Sequence, residues 1–273
     1  MKNVAAASLL FAAGVAADRT FTVVNNCDYT IWSYFTGAGT SAPTYPTGWE
    51  AAAGTSVTFS VPEDWNSGRI WGRRDCDFSA SSDPSTSCAD GGCNGGLECA
   101  KTGGRPPATV AEFTLGADGT DNYDVSLVDG FNLPMSVTNN VNCAVADCPV
   151  DLNANCPTEI KGPYDSSGNA VGCKSACEAN LDGDQSNSPN CCSGSYNTPA
   201  TCPSSGVKDY SYFKSNCPNS YAYAYDESSG TALWTCASNL GADYTITFCP
   251  SSSTTTKRGV HMLDRSFNVT GRV

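Results

Sequence analysis

The residues of this chain best suited to chemistry are carboxylates on the faces of predicted β-strands. Alternation places one acid opposite an apolar or aromatic face in each of three strands: Glu112 within 108–115, Asp124 within 123–128 and Asp226 within 221–226. Carboxyl groups can act as general acids when protonated and as general bases when ionised. An acid opposite a core face is most often simply solvated, and alternation does not show whether the three acids meet.

Histidine-based chemistry is disfavoured. The single histidine, His261, lies near the C-terminus. A Ser-His-Asp triad, a Cys-His dyad and the usual zinc sites all need a histidine placed within the fold. No cofactor and no metal is predicted, because acid–base catalysis by carboxylates requires neither.

Composition and charge limit the partners of the chain. Its 273 residues include 27 Asp and Glu but only 15 Lys and Arg, which gives a formal net charge of -12. Nucleic acids and anionic membranes attract proteins of the opposite sign, so neither is expected as a partner. With 26 Gly, 15 Pro and 16 Cys, the composition favours a loop-rich β protein.

The first 17 residues have the pattern of a secretory signal peptide. Lys2 precedes a short apolar run, and Val15 and Ala17 are suitable residues before a cleavage site that follows Ala17. The run is shorter than the roughly 20 residues that span a bilayer, and no other segment is as apolar. We therefore predict a secreted, extracellular protein with no transmembrane segment.

All sixteen cysteines follow the predicted cleavage site. An even number of cysteines in a secreted chain predicts eight disulfides. Zinc ribbons are a poor alternative, because the chain has no C-x2-C pair. Nine of the cysteines lie between Cys143 and Cys217, a region too polar to form much of a core.

Short alternating runs separated by Gly, Pro and Ser predict antiparallel strands from Thr20 to Val61, and the same alternation returns over 108–115 and 123–129. A short helix is predicted over 171–179, where Cys173 and Cys177 share one face. Strands are predicted again at 221–225 and 244–248, the second of which ends the folded part.

Residues 251–273 are predicted to form a flexible tail that contains a Ser/Thr run. Lys257-Arg258 is either a dibasic processing site or simply two solvated charges. Asn268 begins the only N-x-[ST] sequon in the chain, so it is the predicted glycosylation site.

Several stretches of the sequence together resemble the thaumatin-like proteins, in their sixteen-cysteine form of the pathogenesis-related group 5 type. The resemblance covers about residues 19–250, and the sixteen cysteines follow the order of the family. The matching stretches are 69–73, 104–115, 123–135, 173–177, 213–218, 223–226 and 246–250.

The resemblance implies a mainly β fold. A thaumatin-like domain over 18–250 would contain an antiparallel β-sandwich, a disulfide-rich second domain and a small third lobe. These parts would be the sandwich core over 18–73, 106–147 and 218–250, the stapled lobe over 74–105 and the disulfide-rich lobe over 148–217. The implied disulfides are Cys27–Cys249, Cys76–Cys88, Cys93–Cys99, Cys143–Cys236, Cys148–Cys217, Cys156–Cys173, Cys177–Cys191 and Cys192–Cys202.

The resemblance also implies an acidic cleft lined by one Arg, one Glu and three Asp. The matching positions here are Arg69, Glu112, Asp124, Asp129 and Asp226. Strand alternation independently indicates three of them, whereas Asp129 rests on the resemblance alone.

The function that the resemblance implies is binding of cell-wall β-1,3-glucan in this cleft, with weak endo-β-1,3-glucanase activity that is antifungal or wall-remodelling. Glu112 would be the acid, with a pKa raised by crowding, and Asp129 the base or nucleophile. Arg69, Asp124 and Asp226 would bind the substrate. The alternative is a non-catalytic defence or interaction protein that permeabilises membranes or inhibits foreign hydrolases. We expect a monomer, because eight disulfides in one chain need no partner for stability.

Overall fold

A computed structural model of the chain describes residues 18–38, 41–79, 83–99 and 104–251. The predicted signal peptide, the Lys257-Arg258 pair and Asn268 lie outside the described residues. Within these ranges the protein is mainly β, with eleven strands and one α-helix, α1 (Tyr210–Asn216).

The strands form two sheets. The five-stranded sheet has the order β4-β1-β11-β8-β9, and the six-stranded sheet has the order β10-β7-β6-β5-β2-β3. Neighbouring strands are antiparallel, except that β1 and β11 run parallel. The strands are β1 (Arg19–Asn25), β2 (Ile31–Ala38), β3 (Gly48–Ala51), β4 (Ser56–Val61), β5 (Asn66–Arg73), β6 (Val110–Ala117), β7 (Thr120–Ser126), β8 (Met135–Asn139), β9 (Ala146–Cys148), β10 (Trp234–Ala237) and β11 (Tyr244–Phe248).

An aromatic core joins the two sheets. Phe21 on β1 packs against Phe113 on β6, with ring centroids 4.8 Å apart, and Tyr244 on β11 lies 5.5 Å from Phe113. All three side chains are buried. Because side chains alternate along each strand, burying Phe113 turns its neighbour Glu112 to the outer face of the six-stranded sheet.

All sixteen cysteines are joined, in the eight pairs that the resemblance implies. Cys27–Cys249 spans 222 residues and links the ends of the neighbouring strands β1 and β11. Four of the pairs lie within residues 148–217, where regular structure is sparse.

The helix predicted over 171–179 is wrong. These residues form extended chain followed by turns, because Cys173 is paired with Phe131 as in a strand: each backbone N–H donates to the other residue's carbonyl at 2.8 Å. An extended residue at that point is incompatible with a helix. Across the described ranges no helix combines the length and apolar character needed to cross a bilayer.

The strand predicted over 221–225 is also wrong. Only Tyr221 pairs, in an isolated bridge with Ser126, and the chain then enters a 3-10 segment at Asp226–Ser229. The N–H of Ala222 donates to the carboxylate of Asp226 at 2.9 Å instead of to a neighbouring strand. The side chain of Asp226 therefore accepts the hydrogen bond that a neighbouring strand would accept in a sheet.

Asp90, in the stapled lobe, is a buried acid that makes stability depend on pH. Its Oδ1 accepts a hydrogen bond from the Arg74 N–H at 2.9 Å. Burial raises the pKa of Asp90 to about 7, against the opposing effects of Asn132 and Arg74. The folded state therefore favours the neutral form of Asp90. The stability that this preference contributes is complete below the ordinary pKa of 3.8 and is lost as pH rises through about 7.

Thermal unfolding should accordingly occur at a lower temperature at about pH 8 than at about pH 5. In Asp90→Asn this difference in unfolding temperature should be smaller, because the amide keeps the hydrogen bond from Arg74 but does not ionise. Between these two pH values, the free energy of unfolding of the wild type should fall by on the order of a few kcal/mol. Asp28→Asn, at an exposed position, should behave like the wild type. An unaltered pH dependence in Asp90→Asn would contradict the assignment.

Candidate functional site

A cleft of about 580 Å³ lies on the outer face of the six-stranded sheet. Strands β5, β6 and β7 form its floor, and the segment from Tyr221 to Leu233 contributes a wall. Polar lining residues include Arg69, Glu112, Asp124, Ser126, Tyr221 and Glu227. The alternation predicted for β6 and β7 is confirmed, since Phe113, Tyr123 and Val125 are buried on the opposite face.

Sheet register aligns three charged residues in one row across the cleft floor. Arg69 on β5 lies directly opposite Glu112 on β6, and Glu112 lies directly opposite Asp124 on β7. Residues directly opposite in an antiparallel pair have Cβ atoms about 4.5–5.5 Å apart. The row is therefore positioned by backbone hydrogen bonding rather than by flexible loops.

Arg69 binds two carboxylates at once. Its Nε donates to Oε1 of Glu112 at 2.8 Å, and its Nη2 donates to Oδ2 of Asp129 at 3.2 Å. Burial alone would lower the pKa of Arg69, but Glu112 and Asp129 raise it. The guanidinium therefore stays charged and holds both acids at the cleft.

Asp129 occupies a tight turn just after β7. Gly130, whose N–H donates to Leu127 O at 2.9 Å, has φ +81°, and a Cβ there would lie 2.8 Å from Cys173 O. Only glycine fits this position without strain. Asp129 lines a smaller adjoining cavity of about 110 Å³, so Arg69 connects it to the main cleft.

Asp124 differs from the two acids bound to Arg69. It is only 7% exposed, and its Oδ1 has no hydrogen-bond partner among the described residues. Burial raises its pKa well above the ordinary range, and Glu112 and Glu227 raise it further while Arg69 opposes them. The crowding of acids in the cleft thus acts on Asp124.

Glu227 and Tyr221 belong to the cleft but are not among the residues indicated by the sequence. Burial, together with a hydrogen bond and the charge of Glu227, raises the pKa of Tyr221. The alternation over 221–226 ends just before Glu227, so the sequence pattern does not indicate this acid. The 3-10 turn at Asp226–Ser229 instead sends the two neighbouring acids in different directions.

Asp226 is buried behind the cleft wall, where the predicted role in binding substrate does not fit. It is 1% exposed, and its oxygens accept from the Tyr210 hydroxyl at 2.8 Å and from the Ala222 N–H at 2.9 Å. Lys214 Nζ lies 3.0 Å from Oδ2. With its carboxylate fully engaged, Asp226 fixes the wall that carries Glu227.

Asp226→Asn should destabilise the protein by about 3 kcal/mol, because it leaves the mostly buried ammonium of Lys214 without its countercharge. Urea unfolding measures this loss. In the double variant Asp226→Asn/Lys214→Gln no charge is left unpaired, so the loss should be smaller than the sum of the single losses. Strictly additive losses would show that the ion pair is not coupled.

Comparison with known proteins defines the class of protein to which this fold and cleft belong. The model of the thaumatin family matches residues 25–250, which is most of the chain. The chain belongs to the thaumatin family.

Two individual relatives align with nearly the same part of this chain. The chain is 43% identical over 247 residues to the pathogenesis-related thaumatin-like protein 3.5 of Cryptomeria japonica, covering 89% of this chain and 95% of the relative. It is 41% identical over 243 residues to a Prunus avium protein named glucan endo-1,3-beta-glucosidase, covering 87% and 93%.

A solved structure shares the fold at low identity. It is the glycoside hydrolase family 64 laminaripentaose-producing β-1,3-glucanase of Paenibacillus barengoltzii, complexed with laminarihexaose. The TM-score is 0.50 at 10% identity, and the similarity covers 85% of this chain and 74% of that one. At this identity the likeness concerns the fold alone.

Proposed function

We propose that this protein is secreted, binds the β-1,3-glucan of cell walls in the cleft and slowly hydrolyses it. The observation that carries the proposal is the row of Arg69, Glu112 and Asp124 across the cleft floor, with Asp129 bound to the same guanidinium. The Prunus avium relative named glucan endo-1,3-beta-glucosidase supports the choice of glucan.

The cleft suits a neutral, hydroxyl-rich polymer. Carboxylates accept hydrogen bonds from sugar hydroxyls, and the remaining N–H groups of Arg69 donate to sugar oxygens. Leu233, 42% exposed, and Ala224 offer apolar contact for the C–H faces of the rings. The acids that line the cleft disfavour anionic polymers, because like charges repel.

Hydrolysis requires two carboxyl groups beside the scissile bond. Glu112 lines the main cleft, and Asp129 lies at its edge on the same guanidinium, so these are the proposed catalytic carboxylates. Glu112 is the more central of the two. Its removal should therefore affect hydrolysis more.

Eight disulfides support secretion, because such bonds persist in oxidising compartments. In that setting, wall remodelling or antifungal defence is the proposed use of glucan binding.

Incubation with laminarin and with insoluble β-1,3-glucan tests the proposal. Release of reducing sugar reports hydrolysis, and cosedimentation with the insoluble polymer reports binding. Cellulose, whose linkage is β-1,4, is the control polymer and should give neither. Binding without release would make this a non-catalytic wall-binding protein. Absence of both would contradict the proposal and favour a defence protein that acts on membranes or on foreign hydrolases.

A further inference from the structure

The acids of the cleft differ in what their carboxyl groups contact. Glu112 and Asp129 each accept a hydrogen bond from Arg69 and are about one-third exposed, at 34% and 38%. Asp124 is the next member of the same row, yet Arg69 makes no ion pair with it, and its Oδ1 has no partner among the described residues. One acid of the row thus lacks a bound countercharge.

The groups that face Asp124 make a negative charge unfavourable there. Glu112 lies beside it on β6, and Glu227 lies on the cleft wall next to Tyr221. Among the described residues, Arg69 is the cation that acts on Asp124, and its hydrogen bonds go to other carboxylates. Low exposure adds to this, because burial penalises the charged form of a carboxyl group.

Glu112 has the opposite surroundings. A guanidinium nitrogen 2.8 Å from its Oε1 makes a charge-assisted hydrogen bond, which an ionised carboxylate accepts best. An ionised carboxylate can act as a nucleophile or a base but has no proton to give. When the surroundings of two neighbouring carboxyl groups differ in this way, the neutral group can serve as the acid and the ionised group as the base or nucleophile.

We propose that Asp124, rather than Glu112, is the general acid of the cleft, an inference that rests on the proposed hydrolysis. Asp124 transfers its proton to the glycosidic oxygen as the bond from that oxygen to C1 breaks. Glu112 then either bonds to C1 itself or takes a proton from a water that does so. In the first case water later cleaves the glycosyl ester, and Asp124 recovers its proton from that water. In the second case Glu112 releases the proton to solvent after product leaves, and Asp124 takes up a proton from solvent. Asp129, taken above as the second catalytic carboxylate, is in this assignment a positioning residue that holds Arg69 in place.

Leaving-group dependence distinguishes the two roles. Asp124→Asn should lose about 10²–10⁴-fold in rate on laminarin, whose leaving sugar needs a proton. On a dinitrophenyl β-laminarioside, whose leaving group needs no proton, the loss should stay within about tenfold. Glu112→Gln should lose activity on both substrates. Asp118→Asn, in the exposed turn between β6 and β7, is the matched control.

A titration provides a readout independent of activity. In carboxyl ¹³C NMR of protein labelled at Asp, a resonance other than that of Asp90 should titrate well above the ordinary range, and it should disappear in Asp124→Asn. Rescue of Glu112→Gln by the activated substrate, or a normal titration of Asp124, would overturn this inference while leaving the proposed function intact. A wild type inactive on both substrates would overturn the proposed hydrolysis and this inference together.

Discussion

Glu112→Gln should abolish the release of reducing sugar from laminarin while leaving glucan binding nearly unchanged. Glutamine keeps the shape of the side chain, and its amide oxygen can still accept a hydrogen bond from Arg69. It can neither attack C1 nor take a proton from water, so the rate should fall by about 10²–10⁴-fold. Reducing-sugar release and cosedimentation, measured on the same preparation, separate these two effects.

Glu50→Gln is the matched control for this experiment. It makes the same chemical change at an exposed position on β3, the far edge strand of the same sheet. Both activities should match those of the wild type. If Glu112→Gln still releases sugar at an unchanged rate, the cleft carboxylate row is not the catalytic site.

Removing the Cys27–Cys249 disulfide should have the largest effect on stability. Replacing both residues by Ser opens a covalent link across 222 residues, and loop entropy predicts a loss of about 5 kcal/mol in the free energy of unfolding. This link holds together β1 and β11, which also share a parallel ladder. Unfolding in guanidinium chloride measures the loss.

The Cys192–Cys202 pair is a suitable comparison. It spans only 10 residues, so its removal should cost about 3 kcal/mol by the same argument. A double variant at Cys27 and Cys249 that fails to fold, beside a folded variant at Cys192 and Cys202, agrees with the prediction. Equal losses for the two pairs would contradict it.

The strand faces of the site were predictable because side-chain direction has a strict period of two. Alternation alone placed Glu112 and Asp124 opposite the core, as the structure has them. Their direct opposition was not predictable, because it depends on register. That register includes an irregularity between Thr114 and Ala117, near the turn that joins β6 to β7.

Predictions from sequence periodicity were wrong where specific hydrogen bonds fix the backbone conformation. At Cys173 an i,i+4 cysteine spacing resembled a helix, but pairing with Phe131 holds the residue extended. Before Asp226, alternating tyrosines are typical of a strand, but the N–H of Ala222 donates its hydrogen bond to the carboxylate of Asp226. Both outcomes depend on contacts that sequence periodicity does not encode.

The position of β11 has a consequence for how the protein is made. This strand is the last in the described part of the chain, yet it lies in the middle of the five-stranded sheet, between β1 and β8. During synthesis β1 emerges long before β11 and lacks this neighbour until β11 has been translated. Proteins dominated by such distant pairings fold slowly. The sheet is completed only after β11 has been translated, and until then the apolar face of β1 is exposed to aggregation.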